Sequence, residues 1–359
     1  MHQLRPQAHL IRYIVCNGIP PSSVDSTAFK NFISAIQPKY DPPSATTLRD
    51  RLIPNEAARL QISLFEKLGT SRNLTLSFDG GKTRRPHGIY TVTITTPGSR
   101  KSYLVDLNDA SRVSHTARYI VQEVLKPVLN KIPPENVSAV VSDNTGNTRK
   151  GRELLAELFP HILNFQDCCH EMNLALLQIN ELSEFKEMIQ DVKDILSFMH
   201  HSTYAMEHFN EARKALKIST GLTRVVATRF WTYVAAVDSI FQGLPAFSAI
   251  VEDPGLFIDI VSKNELFEKQ SVHVREFEIK LVQYLAITTP FARAIKCLES
   301  ASATASDVYA YWVAIMSRLE FVMSKSSRIK LRPQTMEDIR AIANQRFNEL
   351  LEDGVMHQS

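Results

Sequence analysis

Leu74-Thr75-Leu76-Ser77-Phe78-Asp79-Gly80-Gly81 is the stretch that decides how this chain folds. This apolar run reads as a strand. The run ends on an aspartate and two glycines, which read as a turn. A second apolar run, Val137 to Val141, ends at Ser142-Asp143-Asn144. Each reads as a buried strand that delivers an aspartate at its C-terminal end. Two aspartates on neighbouring strand ends can share a divalent cation, the core of two-metal phosphoryl-transfer chemistry. The plainer reading of each is a turn former or a helix cap.

The surrounding pattern extends the sheet. Thr91 to Thr95 alternates β-branched residues, and Lys101 to Leu107 is a third strand after the Pro97-Gly98 turn. An amphipathic helix is expected from about Ser114 to Lys131. The strand at 137–142, a helix over Thr148–Leu158 and a short strand at His161–Gln166 follow. The order β-β-β-α-β-α-β-α predicts an α/β (mixed α+β) fold: a mixed sheet with helices on its faces, in the order of a ribonuclease H-like core. Residues 1–70 read as a small helical N-terminal module, with apolar faces in Ala8–Val15, Ser26–Ile36 and Thr46–Leu68. Residues 71–180 form the core. Residues 181–359 carry no strand pattern and read as an all-helical domain, with helices near 182–200, 203–216, 228–250, 270–297, 305–323 and 334–353.

Bulk properties bound the function. With 359 residues and 44% hydrophobic content the chain can bury a sizeable core. A formal charge of only +3 gives no strong global field for nucleic acid, so such contact would rest on local patches. Cys16, Cys168, Cys169 and Cys297 have no repeated spacing of a structural zinc site or a disulfide framework, and fit a reducing compartment. Arg5, His9 and Arg12 interrupt the N-terminal apolar run, unlike a signal peptide. No stretch reads as the roughly 18 apolar residues of a membrane span. A nuclear or cytoplasmic protein without membrane contact is expected.

Several motifs together resemble the hAT superfamily of transposases and the transposase-derived proteins related to them. Leu76-Ser77-Phe78-Asp79-Gly80 resembles the family's aspartate-glycine pair, with Gly81 where a Trp is usual. Val141-Ser142-Asp143-Asn144-Thr145-Gly146-Asn147 is similar to its second aspartate motif, and His115-Thr116 also fits. Asp167-Cys168-Cys169-His170-Glu171-Met172-Asn173-Leu174 resembles the (Cys or Asp)-x-x-His motif followed by x-x-Asn-Leu. Thr228-Arg229-Phe230-Trp231 looks like the family's Thr-Arg-Trp segment with Phe230 added. The resemblance implies a ribonuclease H-like core interrupted by a helical insertion, and an Asp-Asp-Glu triad binding Mg²⁺ or Mn²⁺. Asp79 and Asp143 take the first two places. No segment matches the closing Glu motif, the N-terminal zinc finger or the C-terminal dimerisation segment. A truncated or degenerate relative is therefore expected, with impaired catalysis and a role in nucleic-acid or protein interaction. An active transposase cutting and joining strands with two metals is the alternative.

The remaining site residues carry two readings each. Lys82, Arg84, Arg85 and His87 follow the first aspartate, and Arg149, Lys150 and Arg152 the second; they are DNA phosphate contacts or a solvated face. The resemblance implies that Arg229 and Trp231 support an unpaired base; the plainer reading is that Trp231 anchors the helical core. Asp167, His170 and Asn173 are expected to brace the junction between core and insertion, because adjacent cysteines do not readily share a tetrahedral zinc. Glu171 and Glu299 are candidate substitutes for the third acid, Glu171 reading more plainly as a solvated helix residue; Asp106 reads as a turn residue. Partners expected are DNA, other proteins or a second copy of the chain.

Overall fold

A computed structural model describes residues 4–83, 87–226, 229–300, 303–324 and 327–352. Within them lies one five-stranded mixed sheet with flanking helices. Its strands are β1 (Leu74–Lys82), β2 (Gly88–Thr95), β3 (Ser102–Asp109), β4 (Val137–Ser142) and β5 (Leu163–Gln166), in the order β3-β2-β1-β4-β5. β1, β2 and β3 pair antiparallel, whereas β4 runs parallel to β1 and β5 parallel to β4. Burial alternates along β1, which the sequence reads only as a buried run: Leu74, Leu76 and Phe78 point into the core with Tyr90, Val92 and Ile94 of β2.

Gly80-Gly81 is a correction. The pair is not a turn: it continues β1, Gly80 opposite Tyr90 and Gly81 opposite Ile89. A Cβ on Gly80 would stand 3.0 Å from Tyr90 Cε1, so the bare glycine is what lets the tyrosine ring lie across the strand. On its other edge β1 pairs with β4 only as far as Ser77. Asp79 is thus mid-strand toward β2 and at a strand end toward β4.

The chain enters through α1 (Leu4–Cys16), α2 (Thr27–Ile36), the short α3 (Ala45–Thr47), a π-helical turn over Leu48–Leu52 and α4 (Ile53–Gly69). Leu10, Ile11, Ile14, Val24 and Leu48 make a small core of their own. The far end of α4 joins the sheet instead, through Leu64, Phe65 and Leu68. Gln61 of α4 donates to the Val105 carbonyl of β3 (3.2 Å) and Lys67 to the Tyr103 hydroxyl (2.8 Å). The helix between β3 and β4 is built from α5 (Ala117–Tyr119), a π-helical stretch over Ile120–Leu125 and α6 (Lys126–Leu129). With α7 (Gly146–Leu158) it covers the apolar face of the sheet.

The remainder is helical: α8 (Cys168–Asn180), α9 (Lys186–His201), α10 (Thr203–Ala215), α11 (Trp231–Val251), α12 (Val272–Leu298), α13 (Ala305–Met323) and α14 (Pro333–Glu352). α9 to α14 match the six helices read from the sequence to within a few residues. They share one aromatic-rich core that includes Phe185, Phe209, Phe247, Phe267, Tyr284, Phe291 and Trp312, all wholly buried. α11 is long and apolar enough by composition to cross a membrane, which the sequence reading passed over. Here it is the central helix of that core. Gly243 sits where α11 meets α10, and a Cβ there would stand 3.0 Å from Phe209 Cζ. Phe209 has nowhere to go, because it packs on Phe247 at 4.6 Å between centroids. Alanine gains up to about 1 kcal/mol of helix propensity, but overpacking a dense core costs about 1–3 kcal/mol. Gly243→Ala is expected to lower the urea midpoint by a net loss of about 1 kcal/mol; an unchanged or raised midpoint would show that the ring can yield.

Candidate functional site

β1, β4 and β5 are parallel to one another, so their C-terminal ends lie on one edge of the sheet. In register, Ser77 stands beside Val141 and Val141 beside Phe165. Two residues further along each chain segment, at or just past the strand ends, come Asp79, Asp143 and Asp167. The three carboxylates gather in a row at this edge, near enough for the charges of Asp143 and Asp167 to act on Asp79, but their oxygens do not all lie within 4.8 Å of one another. The face behind them, Thr75, Ser77, Ala139, Val141 and Phe165, is not packed flush against helices. It lines a cavity of about 540 Å³ whose far wall is formed by residues of α13 and α14, among them Thr304 before α13, Tyr309, Trp312 and Phe347.

The row is electrostatically coupled. The Asp79 carboxyl is held above its usual range, first by partial burial and then by the negative charges of Asp143 and Asp167. The Gly80 N–H and the His170 side chain work the other way, more weakly. Oδ1 of Asp143 is buried and has no hydrogen-bond partner among the described residues. A buried carboxylate oxygen without a partner is uncommon and asks for a donor or a cation. The donor set is all oxygen, which suits a hard ion such as Mg²⁺ or Mn²⁺.

Local structure explains the placement. Thr148 Oγ1 in the first turn of α7 donates to the Asp143 carbonyl (2.9 Å). The Asp167 N–H donates to the Ser142 carbonyl (2.9 Å), tying the end of β5 to that of β4. The Asp167 carboxylate then accepts from the Cys169 N–H (2.9 Å) and caps α8. Asp167 thus both caps a helix and faces the acid row.

Arg152 is a correction. It reads in the sequence as a phosphate contact, but it is wholly buried. Its guanidinium donates to the Ser142 carbonyl (3.0 Å), the Asn164 amide oxygen (2.8 Å) and the Asp143 carbonyl. It clamps the strand ends that carry the acids and has no face left for DNA. Arg149 and Lys150 are exposed on the same helix, where both reach Glu153 (3.7 and 3.0 Å). Lys82 is exposed at the end of β1. Arg84 and Arg85 lie outside the described residues, as does Thr228. His87 reaches the Ser111 hydroxyl at 3.2 Å.

Glu171 is a second correction. It is not solvated but fully buried, ion-paired with Arg346 of α14 at 3.3 Å. Burial pushes its carboxyl up, and Arg346 opposes that. Asp106 lies within β3 rather than at its end. Glu299 follows α12, and its charge acts on Cys169 rather than on the acid row. Asn173 Oδ1 accepts the Trp231 backbone N–H (3.2 Å), which joins α8 to the start of α11. The Trp231 indole is half-buried against the helical core, and its Nε1 is buried without a partner among the described residues. Arg229 beside it is exposed.

The residue whose place the sequence reading missed is Asp167. Counting by two from Leu163 through Phe165 reaches it, as counting from Ala139 through Val141 reaches Asp143. Arg346 carried no signal, because its partner is 175 residues away.

No curated protein matches the chain. Residues 43–195, which contain every strand of the sheet, all three acids of the row and the Asp167–Asn173 segment, match a family described as a domain of unknown function, DUF659, a domain found in transposase-related proteins.

Proposed function

We propose that this chain is a transposon-derived module with a ribonuclease H-like core of the hAT type, which retains a divalent-cation site and contacts nucleic acid with reduced or no strand-cleaving power. The observation that carries this reading is the row of Asp79, Asp143 and Asp167 with the orphaned Oδ1 of Asp143. The strand order, three antiparallel followed by two parallel, and the match to a domain found in transposase-related proteins support the ancestry. Asp79 and Asp143 would hold Mg²⁺ or Mn²⁺, and Asp167 would add one oxygen. Such an ion, when bound, polarises a phosphoryl oxygen and lowers the pKa of a water. Impairment follows from the third acid: Asp167 already accepts the N–H that caps α8, and Glu171 is held by Arg346. DNA is the partner this reading favours, through exposed Lys82, Arg149, Lys150 and Arg229, in a nuclear setting. A second reading, active strand cleavage and transfer, is favoured by Asp167 itself, because a third carboxylate stands in the row.

Calorimetric titration of Mn²⁺ tests the site. Wild type is expected to bind in the micromolar range and Asp79→Asn/Asp143→Asn not at all. With Mn²⁺ at about a hundred times its Kd, wild type gains about 2.7 kcal/mol of stability and the double variant none. Equal weak binding by both proteins would overturn the cation site. Cleavage of hairpin or nicked DNA by wild type, lost in Asp167→Asn, would move the conclusion to the active enzyme.

A further inference from the structure

Asp167, Cys168 and Cys169 bring one carboxylate oxygen and two sulfurs to within 4.8 Å of one another, all three residues half-buried at the N-terminus of α8. The carboxylate is held in place, since one of its oxygens accepts the Cys169 N–H. Both thiols are free. The Cys169 sulfur lies 4.0 Å from the Ile295 carbonyl of α12. Asp167 and Cys168 also line the cavity of about 540 Å³ behind the acid row, so the cluster is open to a small solute rather than sealed.

We propose that Asp167, Cys168 and Cys169 form a second cation site, selective for a thiophilic divalent ion of the Zn²⁺ class and separate in chemistry from the all-oxygen row. Soft sulfur donors select Zn²⁺ or Cd²⁺ over Mg²⁺ and Mn²⁺. Zn–S bonds of about 2.3 Å set two sulfurs roughly 3.8 Å apart at the tetrahedral angle, so the ligand atoms close by about an ångström on binding. Rotation about χ1 supplies that much movement. The fourth position is left to water on the cavity side, as in zinc sites with three protein ligands. Binding releases the two thiol protons to solvent and leaves no redox change. The Cys169 thiol is pushed up by its hydrogen bond with Cys168, by burial and by the charges of Asp167 and Glu299, so the ion has to displace its proton and binding is expected to strengthen as pH rises. Adjacent cysteines do not readily share a tetrahedral zinc, and no second spaced pair is present in the sequence; what favours the site here is that the start of α8 brings both sulfurs and the Asp167 oxygen within 4.8 Å of one another. The inference does not rest on the function proposed above: the two sites share Asp167, but the sulfur donors and the class of ion are different.

The test uses the full chain carrying Cys16→Ser and Cys297→Ser, so that the only thiols left are Cys168 and Cys169. Titration with Cd²⁺ is followed by thiolate-to-metal charge-transfer absorption. One equivalent is expected to saturate the band. Further replacement of Cys168 and Cys169 by Ser abolishes it, millimolar Mg²⁺ leaves it unchanged, and Asp79→Asn/Asp143→Asn leaves it unchanged. Absence of a band at stoichiometric Cd²⁺, or a band that survives the loss of both thiols, overturns the site. Where the serine variant does not fold, wild type decides the matter: Zn²⁺ is expected to slow maleimide labelling of Cys168 and Cys169 at least tenfold while Cys16 and Cys297 react as before. Labelling of all four at unchanged rates overturns the proposal equally. Loss of Mn²⁺ binding with the cadmium band intact would count against the acid row alone.

Discussion

Arg346→Met is expected to destabilise the protein by about 3–5 kcal/mol at neutral pH, the usual consequence of stranding a buried charge. Glu171 is fully buried, and Arg346 supplies its cation at 3.3 Å while also reaching Gln178 (3.0 Å) and Glu349 (2.8 Å). Methionine keeps much of the side-chain volume and removes the charge, so the loss reports electrostatics more than packing. The pH dependence has a definite sign. Burial already holds the Glu171 carboxyl above its usual range with Arg346 opposing it, and removal of Arg346 raises it further. A carboxyl whose folded pKa stands above its unfolded value binds its proton more tightly in the folded state. The deficit is therefore full above the folded pKa and shrinks as pH falls through it. Urea titrations at about pH 7 and about pH 5 check this, the gap between wild type and variant narrowing at the lower value. A deficit that ignores pH would assign the loss to packing. Glu171→Gln added to Arg346→Met should restore most of the stability, because the two residues act as one unit.

That ion pair marks where sequence reading stops. The strands and helices were legible because each depends on a local pattern: the apolar run ending at Asp79 for β1, the β-branched alternation over Thr91–Thr95 for β2, and the apolar stripes of α9 to α14. The sheet order followed from the succession of elements, since short hairpins join antiparallel neighbours and helices join parallel ones. Asp79 and Asp143 were legible for the same local reason. Gly80-Gly81 was misread because two glycines usually signal a turn, while the tyrosine ring that needs the bare backbone comes from β2. Arg152 and Glu171 were misread because charge predicts exposure unless a partner is known, and their partners are strand-end carbonyls and a residue near the end of the described chain. Asp167 was visible in the sequence, but its helix-capping role hid its place in the row. The sheet register that aligns it with Asp143 is a tertiary fact. The exposed basic residues remained ambiguous for a different reason: a solvated lysine and a phosphate-binding lysine look alike until a phosphate is present.

Arg152→Met is expected to cost about 3 kcal/mol or more, whereas Arg149→Ala and Lys150→Ala, one turn or less away, should each cost under about 1 kcal/mol. The contrast comes from burial. The Arg152 guanidinium is the donor for the Ser142 and Asp143 carbonyls, the Ser142 hydroxyl and the Asn144 and Asn164 amide oxygens. Each buried acceptor left unsatisfied costs about 1–3 kcal/mol, softened at the Ser142 carbonyl, where the Asp167 N–H also donates, and at the Asp143 carbonyl, where the Thr148 hydroxyl does. Arg149 and Lys150 stand more than half exposed and spend their charge on Glu153, a contact that water and salt screen. Lysine is not expected to rescue position 152, because one ammonium cannot span acceptors arranged for a planar fork. Thermal unfolding of the three variants measures the difference, and a loss at Arg152 no larger than at Arg149 would mean that the clamp carries no weight. The same variant separates two kinds of basic residue in the proposed function. Arg152→Met should weaken Mn²⁺ binding, since the backbone of Asp143 keeps the Thr148 hydroxyl but loses the guanidinium that ties it to β4 and β5, and should do so even at temperatures where the protein stays folded. Arg149→Ala should leave Mn²⁺ binding alone and lower DNA affinity with a shallower salt dependence, as expected for one lost phosphate contact.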